Sequence, residues 1–299
     1  MEPVFRPHVQ SLTPVTLKQA DVDTLPESDR ARVAENQPLL VAYEFVQRVE
    51  GKDYSGFYVR ARAAPKDSPV VIYNRGGTAD FSYVTHDRLF SSAIADLARA
   101  GFVVYGTQCM GTGEHGGVDE LGGADYAAVL ALKELIDADS YADQTRIGVF
   151  GGSRGGMTTY RMLKDVDWVR AAVVISGMAD LPGDRTFRPK MIEHFERTFG
   201  GTEEGMRERS VLYWVDALPT NVPLLLMNGT SDWRVDPRTA CKLSLAFLER
   251  RIPHRFIMFE GADHHLSEYR TEAVTQALAW LDRLVMRGEP LPDMAPHGK

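Results

Sequence analysis

The sequence predicts an α/β fold: a mostly parallel central sheet with helices on both faces and a small helical lid. Three observations carry this prediction. From about residue 70 onward, short apolar runs of strand length alternate with amphipathic runs of helical length. That alternation is the signature of parallel strands joined by helical crossovers. At residues 147–157 the chain reads I-G-V-F-G-G-S-R-G-G-M, a buried strand, a sharp turn and the start of a helix. The rhythm then lapses once, at 181–218, where helical patches occur without a strand.

The elements follow in order. Residues 1–40 are polar and interrupted by prolines, with a short helical segment near 26–34, and read as an arm laid over the main domain. Segments 41–48 and 54–62 alternate as strands around the turn Gly51-Lys52-Asp53, a hairpin placed at one sheet edge. The apolar run 70–73 is a buried strand that ends in the loop Asn74-Arg75-Gly76-Gly77. Helical spacing covers 86–100 and stops at Gly101, followed by a strand at 102–105. A glycine-rich loop at 106–123 precedes an amphipathic helix at 124–138. After the turn at Ser153 come a helix at 157–163 and a strand at 171–175.

The lid at 181–218 holds helical patches at 191–199 and 203–215. A strand at 222–227, a helix at 237–250 with Pro237 in its first turn, a strand at 254–259 and a helix at 271–286 complete the pattern. The catalytic domain is expected to span 41–288, and 289–299 to be a loose proline-rich tail.

Composition narrows the function. Hydrophobic content of 44% is enough for a full core, and the net charge of −7 argues against a nucleic-acid or anionic-membrane surface. Cys109 and Cys241 lie far apart without metal-ligand spacing, so neither a disulfide nor a metal site is expected. The N-terminus has no apolar core of a signal peptide, and no run approaches the ~20 apolar residues of a membrane helix. A cytoplasmic location is the expectation. A homo-oligomer is neither required nor excluded.

The chemistry centres on Gly151-Gly152-Ser153-Arg154-Gly155, a G-x-S-x-G pattern between strand and helix. Such a turn strains the serine backbone and projects its hydroxyl from the sheet, and flanking glycines remove the clashes that would forbid it. A serine needs a base, and the usual base is a histidine held by a carboxylate. Of eight histidines, only His264 and His265 follow a strand end through a small-residue turn near the C-terminus. His264 is assigned as the base and His265 as a structural or rim residue. A metal site at the pair would need a third ligand, and the spacing supplies none.

Asp232, in the turn after strand 222–227, is assigned as the acid, with Asp180 its competitor. Asp236 and Asp263 read as cap and turn residues. The order Ser, Asp, His along the chain is that of an α/β-hydrolase. An oxyanion needs preorganised donors. One is the backbone N–H of Arg154, directly after the serine. The other is assigned to the bare backbone of Arg75, Gly76 and Gly77. The side chains of Arg75 and Arg154 suggest a clamp for a substrate carboxylate; the competing reading has each guanidinium pair with a protein carboxylate and order a loop.

Three segments now carry a resemblance. Residues 145–156 resemble the nucleophile segment of the prolyl oligopeptidase family, Gly229-Thr230-Ser231-Asp232-Trp233-Arg234-Val235 its acid segment, and Gly261-Ala262-Asp263-His264 its histidine segment. The loop 110–117 is similar to the family's glycine loop, and the likeness covers roughly 70–285. Membership implies a Ser153–Asp232–His264 triad. Two features depart from the family. The ~70 residues before the catalytic strands are too few for a propeller of four-stranded blades. Arg75 stands where many members carry an oxyanion-hole tyrosine, and Arg154 where tyrosine is common. The resemblance therefore implies a hydrolase more firmly than a peptidase.

Residues 111–116 spell G-x-G-x-x-G, but the next helix begins only near 124, too late for its N-terminus to face a pyrophosphate. No cofactor or metal is expected. The sequence reads as a serine hydrolase acting through an acyl-enzyme on a small ester or a short peptide. A carboxylesterase without peptidase activity is the alternative, and a non-catalytic hydrolase-fold binding protein the second.

Overall fold

The computed structural model describes residues 3, 5, 8–110 and 117–297. The G-x-G-x-x-G stretch at 111–116, with His115, lies outside the described residues. The chain divides into two compact units: residues 1–119 with 124–147, and residues 120–123 with 148–299.

The first unit opens with β1 (Ser11–Pro14), α1 (Gln19–Asp23) and α2 (Glu27–Asn36). It continues through β2 (Leu40–Val49), β3 (Lys52–Ala61), β4 (Ser68–Asn74), α3 (Arg88–Ser91), α4 (Ala93–Arg99), β5 (Val103–Thr107) and α5 (Asp125–Ala138). Its strands run in the order β1-β2-β3-β5-β4. The β2–β3 hairpin forms as expected, but it is not an edge. β1 pairs antiparallel with β2, Leu12 opposite Phe45, so the arm supplies the outer strand. Only Leu12 of β1 is buried, which left too little alternation to read.

Phe5 fastens the arm further, its ring 5.4–5.9 Å from those of Phe45, Tyr58 and Tyr105. The helix expected at 86–100 is broken at Ser92, which is extended (ψ −173°). Its hydroxyl accepts from the Ile94 N–H and donates to the Arg88 carbonyl, ending one helix and capping the next.

Strand β6 (Ala142–Gly152) begins in the first unit and ends in the second, the boundary falling between Ile147 and Gly148. The second unit continues with α6 (Arg154–Asp165) and β7 (Val169–Ile175). The lid follows as α7 (Leu181–Phe187), α8 (Met191–Phe199) and α9 (Glu203–Glu208), then two short 3-10 turns. The helix expected to reach 215 stops at Glu208, because the Ser210 hydroxyl donates to Met206 O and accepts from the Leu181 N–H. The unit ends with β8 (Leu224–Gly229), α10 (Pro237–Glu249), β9 (His254–Phe259) and α11 (Arg270–Leu281), which runs into a π turn at Asp282–Met286.

β7, β8 and β9 are parallel neighbours. α6 and α11 pack on β7, and α10 on β8 and β9. The lid is fixed by an apolar cluster of Leu121, Met157, Met178, Leu181, Phe195, Met206 and Val235. That cluster joins all three lid helices to the helix after Ser153 and to the turn after Asp232. Both cysteines are unbridged. Among the described residues, no helix is long and apolar enough to cross a membrane.

Phe195 is 1% exposed at the centre of the lid cluster. Phe195→Ala is expected to cost about 3–5 kcal/mol through lost burial and a cavity. Urea unfolding measures it; a loss well under 1 kcal/mol would show the lid to lie outside the cooperative core.

Candidate active site

Ser153 stands between the end of β6 and the first turn of α6, with φ 56° and ψ −121°. This is strained backbone for a residue with a Cβ. Hydrogen bonds hold it there. The Ser153 N–H donates to Ile175 O at 2.9 Å, and its carbonyl accepts from Gly156 at 2.9 Å and Met178 at 3.1 Å. Gly151 permits the turn: a Cβ there would lie 2.2 Å from Gly155 O and 2.4 Å from Thr159 Oγ1.

The strand ladder carries the site across the sheet. Ile175 is opposite Met227, and Met227 opposite Ile257. Parallel strands end on the same side, so the loops after β7, β8 and β9 leave from one rim. Two of these loops are tied together by backbone. Thr230 N–H donates to Phe259 O at 2.9 Å and Ser231 N–H to Ala262 O at 3.0 Å. The Gly261 N–H returns a bond to Thr230 Oγ1 at 2.8 Å. Gly229 is required at the crossing, since a Cβ would come within 2.2 Å of Ala262 O.

This scaffold brings Asp232 and His264 into contact. Asp232 Oδ2 and His264 Nδ1 are 2.7 Å apart, with side chains 0% and 3% exposed. Asp232 Oδ1 accepts from the Arg234 and Val235 N–H groups at 2.8 and 3.1 Å. The carboxylate is therefore aimed by its own turn. A carboxylate accepts only, so Nδ1 carries the proton and Nε2 is left for chemistry. Among the described residues, no hydrogen bond joins the Ser153 hydroxyl to His264; unliganded catalytic contacts are often long.

The competing aspartates have other work. Asp180 caps α7, accepting from Gly183 N–H at 3.0 Å and Tyr213 OH at 3.3 Å. Asp236 caps α10. Asp263 holds the turn through His265 N–H and Ser267. His265 keeps an exposed edge, and partial desolvation of its ring, then the charges of His264 and Arg234, hold its pKa below the ordinary value.

Arg154 begins α6 and is 3% exposed. Arg75, in the first unit, is also buried, and its guanidinium donates to the carbonyls of Gly76 at 3.1 Å, Phe81 at 3.0 Å and Ala79. These carbonyl bonds help order its own loop. Gly77 has φ +75°, with Phe81 O 2.1 Å from where a Cβ would be. Among the described residues, no group of three or more His, Cys, Asp and Glu side chains is placed to hold a metal ion.

Sequence reasoning missed Asp184. It is 2% exposed on α7, and among the described residues neither carboxylate oxygen has a hydrogen-bond partner. Burial, aided by the charges of Asp180, Asp236 and Asp232, pushes its pKa up to about 7. The nearby Asp236 N–H opposes the shift but falls short of a hydrogen bond. Nothing in the residue's place along the chain signals that burial.

A strained serine elbow, an acid turn and a histidine loop, in this chain order and on these strand ends, define an α/β-hydrolase. A model of the prolyl oligopeptidase family matches residues 88–287, and the chain belongs to that family of serine peptidase-like hydrolases. It is 29% identical over 181 residues to the uncharacterized peptidase YuxL of Bacillus subtilis, covering 55% of this chain and 26% of that one. It is 26% identical over 240 residues to the putative esterase YitV of the same organism, covering 72% of this chain and 88% of that one. In structure it is similar to the acylaminoacyl peptidase of Pyrococcus horikoshii, with TM-score 0.71 and 18% identity over 83% of this chain and 42% of that one. The chain thus spans about a quarter of YuxL and less than half of the Pyrococcus chain.

Asp184 makes stability depend on pH. Its contribution is fully present below the ordinary value of 3.8 and is lost as pH rises to about 7, while the folded chain keeps a proton the unfolded chain has released. Asp184→Asn is expected to flatten that slope and to gain stability over wild type at pH 8. Urea midpoints at pH 5 and pH 8 check it; parallel shifts in both proteins would refute the assignment.

Proposed function

We propose that this chain hydrolyses an ester or amide through an acyl-enzyme on Ser153. The observation that carries the reading is the buried 2.7 Å Asp232–His264 hydrogen bond, together with a serine at φ 56° bonded to the end of β7 in the same parallel sheet. His264 Nε2 takes the proton as Ser153 Oγ bonds to the substrate carbonyl carbon. It returns that proton to the leaving group as the scissile bond breaks. Water, deprotonated by the same nitrogen, then releases the acid and frees Ser153. Asp232 fixes the imidazole and balances the imidazolium.

The developing oxyanion needs donors. Arg154 supplies one in this reading, because the first N–H groups of a helix have no intrahelical partner. The loop of Arg75, Gly76 and Gly77 is proposed as the second from its place after β4. Arg154 is retained as a substrate contact only through its backbone. Arg75, with three carbonyls on its guanidinium, is better read as a loop organiser.

The substrate in this reading is a short peptide or N-acylated amino acid, as the similarity to an acylaminoacyl peptidase favours. The similarity to a putative esterase over 88% of its length supports a second reading, a carboxylesterase without peptidase activity.

A fluorophosphonate probe is expected to label wild type and not Ser153→Ala, with turnover falling about 10⁴–10⁶-fold in the variant. Wild-type turnover by Ser153→Ala would end the proposal. A panel of peptide amides and short acyl esters separates the readings. Cleavage of esters alone selects the esterase.

A further inference from the structure

One cation near the site has no carboxylate partner among the described residues. Arg188, the residue that ends α7, has its guanidinium carbon 4.9 Å from the ring centroid of Trp233. Among the described residues it has no carboxylate at ion-pair distance. Three of the acids near α7 are committed elsewhere. Asp232 holds His264, Asp180 caps α7, and Asp236 pairs with Arg238 at 2.7 Å. Asp184, four residues upstream, is unbonded through both oxygens.

Trp233 directly follows the acid of the proposed triad and is 59% exposed, which is unusual for so large a ring in a packed loop. Arg234 reaches the same indole, 5.0 Å from its centroid. Two guanidinium groups on one exposed indole make a flat, cationic platform. A planar fork already held against an aromatic ring needs little further ordering to grip a carboxylate with two parallel hydrogen bonds.

Position decides which part of the substrate meets it. In acyl transfer, the leaving atom departs toward the imidazole that protonates it. The platform stands on the loop that holds that imidazole, and the charge of Arg234 reaches His265 beside it. We propose that Arg188, seated on Trp233, binds a carboxylate carried by the leaving group, as in the free C-terminus of a short peptide. The inference rests on the acyl-enzyme reading and names its substrate class. Burial and then Arg234 hold the Arg188 pKa below its ordinary value, as expected for a charge short of counterions.

The test uses three substrates on the purified chain: an N-acyl dipeptide with a free C-terminus, its C-terminal amide, and an ester with a carboxylate on the acyl side. Wild type is expected to prefer the peptide acid over the amide by about tenfold or more in kcat/KM, through KM. R188Q should bring that ratio within about threefold, and R188K, which keeps charge without the fork, should fall between. Matching melting temperatures exclude misfolding; if R188Q does not fold, the wild-type ratio and R188K decide.

Fluorophosphonate labelling separates the two failures. Labelling without an acid preference overturns the subsite and leaves the hydrolase standing. A preference confined to the acyl-side acid, or one that survives in R188Q, also overturns the subsite. Neither labelling nor turnover overturns both.

Discussion

The 2.7 Å hydrogen bond between Asp232 and His264 joins residues 32 positions apart, and the second unit is arranged so that it can form. It needs β8 and β9 as parallel neighbours, so that both loops leave the same rim. It needs Gly229, where a methyl group would collide with the Ala262 carbonyl. It needs the Arg234 and Val235 N–H groups, which hold the far oxygen of the carboxylate. A charge this buried is tolerable because both of its oxygens are hydrogen-bonded, Oδ1 twice. Ser153 obeys a parallel constraint: its strained backbone persists because the ends of β6 and β7 are bonded across it.

The lid is part of the same mechanics. Its helices share an apolar cluster with Met157 of α6 and with Val235, three residues after Asp232. Burying the lid therefore also clamps the turn that presents the acid. Asp184 is the exception within that packing, a carboxyl group placed among three other acids without a hydrogen bond. A carboxyl so placed is easiest to accommodate while it holds its proton, which couples lid packing to the protonation state of a group that performs no chemistry in the proposed mechanism.

Much of this was legible in the sequence, for physical reasons. Buried parallel strands are short and uniformly apolar, so β4, β5, β7 and β8 stood out. The glycines around Ser153 and the small residues before His264 marked sharp turns. Asp232, Asp236 and Asp263 were distinguishable because cap and turn geometry depends on near neighbours in the chain. What was hidden depends on distant partners. β1 buries one side chain in four and carries Pro14, so its pairing with β2 left little pattern. A single hydroxyl at Ser92 divides a run with continuous helical spacing. The guanidinium of Arg75 turns onto its own loop, and Arg188 finds an indole forty-five positions away; no local spacing foretells either.

Apart from the Asp232–His264 pair itself, the acid and histidine loops are knitted to each other mainly through main-chain groups, with Thr230 adding a side-chain tie. Main-chain geometry is indifferent to most amino-acid replacements. The exposed residues of these loops, Trp233 and His265 among them, are consequently open to drift at little risk to the Asp232–His264 hydrogen bond. In evolutionary terms a main-chain frame of this kind constrains few residue identities, and leaves the surface around it free to be rewritten.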